Sequence, residues 1–310
     1  MNKLVVLTFN HESEDNFILN KMNETSRVDV YPVLRDVGII GKCLRRINFK
    51  LFPFYVDYWF SKKWINSIEK NDTVVCMAHY WSPAILKRIS KKYNCNCINY
   101  FWDKVVVSGY PIERGKVFEN WTFDLEDSRT YKMRYNPQFY VENLVEKNQI
   151  VEYDVCYVGA DRNGTLVDRV AMANEYYSKM RELNLKLFFY LLTKSAKANA
   201  EIAANVPMNV KDVLDIMMKS KAVLEIIDSD KVEWLTLRPF QALTNNRKLI
   251  TNNRKIVYYD FYNSNNIFVI GKDNWGDLPE FLNTPFEKME CLEKYSIENW
   301  KMRFLENKEA

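Results

Sequence analysis

Val223 to Ile270 reads VLEIIDSDKVEWLTLRPFQALTNNRKLITNNRKIVYYDFYNSNNIFVI. Three apolar runs stand in it, Val223–Ile227, Lys248–Thr251 and Ile267–Ile270. A short helical pattern, Leu237 to Leu243, separates the first two. Pro239 stands where a first turn tolerates it, and Asn245-Asn246 closes the pattern. Strand, helix and strand in this order predict a βαβ unit with parallel strands. Such sheets bind ligands beyond the carboxyl ends of their strands. Asp228, Thr236, Arg238, Asn252, Lys255 and Asp260 cluster at those ends.

Working outward, the same alternation fills the chain. Lys3–Phe9, Val28–Val33, Asp72–Ala78, Cys97–Phe101 and Trp121–Phe123 read as strands of a first half. Val151–Val158 and Lys186–Leu192 read as strands of a second. Helices are expected over 17–23, 84–93, 125–132, 166–180 and 210–219, with a final one over 291–305. Asn136 to Gln149 is polar, carries Pro137 and reads as a linker. The 310 residues suffice for two domains of ordinary size. With 47% hydrophobic and 27% charged residues the composition is that of a globular protein, and a net charge of +4 argues against a nucleic-acid partner. Cys76, Cys97 and Cys156 sit in apolar runs as small hydrophobes, and Cys95-x-Cys97 lacks the spacing of a zinc knuckle. Reduced thiols and a cytoplasmic setting are expected. Leu4–Phe9 stops at Asn10-His11-Glu12, too short for a secretory signal, and no run is long enough to span a bilayer.

Leu235-Thr236-x-Arg238-x-Phe240-x-Ala242-Leu243 is followed by Lys248-Leu249-Ile250-Thr251, Tyr259-Asp260-Phe261-Tyr262 and Asn266-Ile267-x-Val269-Ile270. This succession resembles bacterial glycosyltransferases of lipopolysaccharide core and capsule assembly, some of which are assigned as rhamnosyltransferases. Tyr153 to Asp161 is similar to the strand that opens their second domain. Asn99 to Asp103, with Trp121–Asp124, Glu126-Asp127 and Phe139-Tyr140, is similar to the end of their first. The resemblance spans 97–300. It implies an α/β, GT-B-like chain of two Rossmann-like domains with parallel sheets facing across a cleft. The implied division is an acceptor domain over 1–148, a donor domain over 149–290, and a C-terminal helix over 291–310 packing back on the first. Two positions depart from the family pattern. Gln241 stands where a glutamate is usual, and Trp234 where a glycine is usual.

Candidate site residues follow from strand ends. His11, His79 and Asp103 each follow a strand of the first half. A transfer that inverts configuration needs a base for the acceptor hydroxyl, so all three are candidates. Against this stand a solvated loop for His11, a structural histidine for His79 and a cap or buried acid for Asp103. Asp124 and Asp127 read as helix caps rather than metal ligands. In the second half Asp161, Arg162 and Gly164 lie in a small glycine loop between strand and helix, a phosphate-cradling arrangement. Arg162 and Arg238 offer forks for a diphosphate, joined by Thr236, Gln241 and Lys255. Cationic charge there stabilises a leaving diphosphate without a metal, so no metal or cofactor is expected beyond the nucleotide-sugar substrate. Asp228-Ser-Asp230 nonetheless has the acid spacing of metal-dependent transferases.

Residues 42–66 bring Lys42, Arg45, Arg46, Lys50, Lys62 and Lys63 beside a run of aromatics. This reads either as a contact with an anionic inner-membrane surface or as a helix pair with an aromatic core face. The expected partners are a nucleotide sugar and a lipid-linked oligosaccharide acceptor, with the chain peripheral on the membrane. Two other functions remain open: a non-catalytic relative acting as a binding or assembly partner, and a different reaction on the same fold, such as pyruvyl transfer or sugar epimerisation.

Overall fold

A computed structural model of the chain describes residues 3–9, 21–24, 28–51, 58–113, 117–142, 144, 149–161, 168–227 and 235–306. The chain forms two compact units, one of residues 1–141 with 297–310, the other of residues 142–296.

The first unit holds six parallel strands: β1 (Leu4–Thr8), β2 (Val28–Pro32), β3 (Thr73–Met77), β4 (Asn96–Phe101), β5 (Glu119–Thr122) and β6 (Arg134–Tyr135), in the order β2-β1-β3-β4-β5-β6. All five residues of β1 and of β3 are buried, which is why these strands read as unbroken apolar runs. Its named helices are α1 (Ile39–Leu51), α2 (Lys62–Ile65), α3 (Ser82–Tyr93), α4 (Val105–Ser108) and α5 (Leu125–Tyr131). On α3, Ile85, Leu86 and Ile89 turn inward, and Asn94 ends the helix in the left-handed region at φ 49°. Asp124 caps α5 by accepting from Asp127 N at 2.8 Å. Lys104, buried beside it, pairs with Glu126 at 2.6 Å.

The second unit holds β7 (Tyr153–Ala160), β8 (Leu187–Leu192), β9 (Ala203–Ala204), β10 (Ser220–Glu225), β11 (Lys248–Thr251) and β12 (Ile267–Val269), again all parallel, in the order β12-β11-β10-β7-β8-β9. Counted from its own first strand, this is the doubly wound order 6-5-4-1-2-3 of a dinucleotide-binding sheet. Its helices are α6 (Arg169–Glu182), α7 (Val210–Met218), α8 (Leu237–Leu243) and α9 (Leu278–Asn283). Val170, Ala173, Tyr176 and Met180 of α6 pack with Phe189 and Leu191 of β8 into the core.

Two expectations are corrected. Residues 136–141 are not a linker: Asn136, Gln138, Phe139 and Val141 are buried in the first unit. The last helix is not continuous over 291–305. A 3-10 turn runs Glu290–Tyr295, extended backbone at Ser296 breaks it, and α10 (Ile297–Glu306) starts afresh. Of the aromatic stretch, left open between membrane contact and core, Trp59, Phe60 and Trp64 are buried with Val33 and Leu34, while Tyr58 is exposed. The helix expected over 17–23 falls mostly outside the described residues, of which 21–24 are helical.

α10 belongs to the first unit through Trp300 and Phe304, both fully buried. The Trp300 ring meets Phe139 at 4.7 Å and Tyr100 at 5.5 Å. Its Nε1 donates to Tyr100 Oη at 3.3 Å, Tyr100 Oη donates to Asn136 O at 3.0 Å, and Asn136 Nδ2 donates back to Trp300 O at 3.0 Å.

Candidate functional site

In a doubly wound sheet the crevice opens where the strand order reverses. In the first unit that point lies between β1 and β3. The carboxyl ends there supply Thr8 and Phe9 from β1, Met77 to His79 from β3, and Phe101 to Asp103 from β4, and Ser108 and Tyr110 close the side. The cleft they line encloses, mouth included, ≈ 620 Å³ of non-protein space. His79 and Asp103 are therefore brought to one cleft. His11 lies outside the described residues.

The two groups differ in what they can do. The His79 ring stacks on Phe9 at 4.0 Å and 17° and meets Tyr110 at 5.3 Å. Its backbone N–H donates to Ser82 Oγ at 3.1 Å, and Ser82 Oγ donates to Asn99 Oδ1 at 2.7 Å, tying the β3 loop to β4. Trp81 N donates to His79 Nδ1 at 3.3 Å, which assigns the proton of the neutral ring to Nε2. Burial lowers its pKa to about 4. At neutral pH His79 is thus a hydrogen-bond donor through Nε2. Asp103 is exposed at the mouth. Phe9, Trp102 and Tyr110 surround them with ring faces of the kind that pack on sugar C–H surfaces. Sequence reading missed Phe9, Trp102, Ser108 and Tyr110. Position after β1 and β4 was a usable signal for the first two. The last two flank Gly109, which ends α4 in the left-handed region at φ 62°.

The pKa of His79 has a testable consequence. The unfolded chain protonates this histidine near pH 6.5, the folded chain only near pH 4. The folded state binds fewer protons between these values, so stability falls as pH drops through that window. Discounted for the ring's partial exposure, the loss between pH 7.5 and 5 is about 1 kcal/mol. Urea unfolding of the parent and of His79→Gln at both pH values will show this extra loss in the parent alone. Glu225, whose pKa burial raises, acts in the opposite sense and is common to both proteins.

In the second unit the order reverses between β7 and β10. The residues that follow these strands, 162–167 and 228–234, lie outside the described residues, and with them Arg162, Gly164, the Asp228-Ser-Asp230 acids and Trp234. What surrounds the opening is described. Asp161 accepts from Thr193 Oγ1 at 3.1 Å, joining the ends of β7 and β8. Thr236 caps α8 by accepting from Arg238 N at 3.2 Å, and its hydroxyl donates to Glu225 at 2.5 Å. Thr251 Oγ1 donates to the other Glu225 oxygen at 2.7 Å. Glu225, 2% exposed, thereby fastens β11 and the start of α8 to the end of β10. Burial raises its pKa, opposed by the two hydroxyls and by Arg238. Asn252 holds Ile227 on both sides, accepting from its N–H at 2.8 Å and donating to its C=O at 2.7 Å. Gln241 is half-buried on α8, and Lys255, also half-buried, is the second residue of a 3-10 turn (Arg254–Tyr258), where its N–H donates to the capping Asn253 Oδ1 at 3.1 Å. Glu225 was missed as a site residue, although a lone acid in an otherwise apolar run was the signal for it.

No protein-family model matches the sequence, and no curated protein sequence does. Among solved structures the chain is similar to S. aureus MnaA in its co-structure with UDP, at a TM-score of 0.52 and 10% identity over 98% of this chain and 95% of that one. It is similar to the N-terminal domain of Candida albicans trehalose-6-phosphate phosphatase, at a TM-score of 0.50 and 9% identity over 99% of this chain and 96% of that one. At such identities the likeness is one of architecture. The chain is α/β and GT-B-like, with two Rossmann-like units each built on a six-stranded parallel sheet.

Proposed function

We propose that the protein is a metal-independent glycosyltransferase that moves a sugar from a nucleotide donor to a lipid-linked, surface-glycan acceptor of the lipopolysaccharide-core kind. The observation that carries this reading is the cleft between β1 and β3, where an exposed carboxylate and a neutral imidazole share one aromatic-walled opening. Asp103 takes the proton of the acceptor hydroxyl as that oxygen attacks the anomeric carbon. His79 donates from Nε2 to the acceptor and fixes its orientation. Phe9, Trp102 and Tyr110 hold the sugar ring faces. In the second unit Arg238 meets the departing diphosphate, with Arg162 of the glycine loop, Thr236 and Lys255 beside it. Gln241 faces the donor ribose as a neutral amide. Support for a uridine nucleotide comes from the MnaA structure, which holds UDP. Support for the acceptor class comes from the succession of sequence motifs between Cys97 and Trp300.

Thermal unfolding against a panel of nucleotides and nucleotide sugars, with and without Mg²⁺, tests the reading. A ligand at about 100 times its dissociation constant stabilises by about 2.7 kcal/mol, which raises the melting temperature by roughly 5 °C. The expected result is such a shift with a uridine nucleotide, equal in the presence and absence of Mg²⁺. A shift that needs Mg²⁺ would transfer the diphosphate to the Asp228 and Asp230 acids. No shift with any nucleotide would leave the non-catalytic binding partner as the better account. Mass analysis of the products then separates glycosyl transfer from epimerisation, which leaves the donor mass unchanged.

A further inference from the structure

α1 is an inverted amphipathic helix. Ile40, Leu44, Ile47 and Leu51 recur at the three-four spacing of one helical face, yet all four are exposed, at 78%, 54%, 51% and 61%. Ile39, 83% exposed, extends the face at its start. The side that meets the unit is the small and polar one. Gly41 lies so close to Val37 that an added Cβ would stand 2.7 Å from the valine Cβ. Arg45 donates to Arg35 O at 3.2 Å, and Asn48 Oδ1 accepts from Trp59 Nε1 at 2.9 Å. Polar bonds therefore seat the helix and leave its aliphatic face outward, an arrangement that folding alone does not reward.

We infer that this outward face of α1 docks on an anionic lipid surface. The charge pattern selects that occupant. The thirteen residues of α1 include Lys42, Arg45, Arg46 and Lys50 and no acid, and Arg46 is exposed. A second copy of the chain would bring cation against cation, whereas an anionic headgroup layer complements them and accepts the aliphatic side chains below. At 13 residues the helix lies along such a surface, and among the described residues no helix is long and apolar enough to cross a membrane. The inference corrects the sequence reading in detail: the membrane-facing groups are aliphatics of α1, while Trp59, Phe60 and Trp64 are core. It stands on α1 alone and is independent of the nucleotide reading.

Flotation of the full chain with vesicles of phosphatidylcholine, or of phosphatidylcholine mixed with phosphatidylglycerol, tests it, with sedimentation of the lipid-free protein as a parallel measurement. The parent protein is expected to float with the anionic vesicles and much less with the neutral ones. Leu44→Glu/Ile47→Glu is expected to lower partitioning at least about tenfold with an unchanged melting temperature, because both residues are exposed. Arg46→Gln is expected to lower it about fivefold and to weaken its salt dependence. Equal flotation with both vesicle types overturns the proposal, as does flotation untouched by the Glu pair. A parent protein that ignores vesicles but dimerises, and becomes monomeric in the Glu variant, overturns it in favour of a second copy.

Discussion

Trp300→Ala is expected to cost about 4 kcal/mol, the largest stability loss from any single truncation in the first unit. The indole is fully buried and touches Phe139, Tyr100 and Phe304, the last at 4.6 Å. Its removal leaves a cavity among rings that are themselves fixed, so the site cannot collapse to fill it. It also takes the donor from Tyr100 Oη, a buried hydroxyl whose remaining bond runs to Asn136 O. Net stabilities of folded proteins are about 5–15 kcal/mol, so the variant will sit near the edge of folding. Urea unfolding followed by fluorescence and by far-ultraviolet circular dichroism measures the loss. Trp300→Phe keeps most of the ring volume and is expected to cost roughly a third as much. A loss under about 1 kcal/mol for the alanine variant would mean that α10 is held elsewhere, by Ile297 N donating to Tyr140 O and by Arg303 Nη1 donating to Asn136 Oδ1.

This same cluster marks where sequence reading stopped. Parallel strands buried on both faces are continuous apolar runs, so β1, β3, β4 and β11 could be read to within a residue or two, as could α8 between its cap at Thr236 and the turn at Asn245-Asn246. Asn136 and Gln138 could not, because they are buried by partners far along the chain. Asn136 bonds to Trp300, 164 residues later, and nothing local announces that contact. A polar stretch with a proline therefore read as a linker. α1 was not read from its aliphatic stripe at all. Its spacing at 40, 44, 47 and 51 is that of a core-facing helix, and periodicity reports that a face exists without saying which way it turns. In the candidate site, His79 and Asp103 could be named because each follows a strand, but not the division of labour between them. That division rests on one hydrogen bond from Trp81 N and on burial of the ring, neither of which has a sequence signature. Glu225 lay in plain view within an apolar run and was read through, since its two threonine partners, Thr236 and Thr251, come from different elements.

The proposed division of labour leads to the second large effect. Asp103→Asn is expected to lower kcat about 10²- to 10⁴-fold while leaving the nucleotide-induced melting shift intact. The amide keeps the size of the carboxylate and loses only its ability to take a proton. Asp103 is exposed, and the melting temperature without ligand is measured alongside to separate any stability change from the loss of turnover. His79 cannot replace it. Its Nδ1 accepts from Trp81, its Nε2 carries the proton, and a pKa near 4 makes the ring a weak base at neutral pH. His79→Gln is therefore expected to act differently: a side-chain amide still donates, orientation is partly kept, and the loss should be closer to tenfold and divided between kcat and KM. The two variants together decide the assignment. A large fall in kcat for Asp103→Asn with a small one for His79→Gln fits a carboxylate base beside a donor imidazole. The reverse ranking would require the imidazole to present a free lone pair, hence a ring turned away from Trp81. Unchanged kcat in both would move the base out of this cleft, leaving His11 as the next residue to replace.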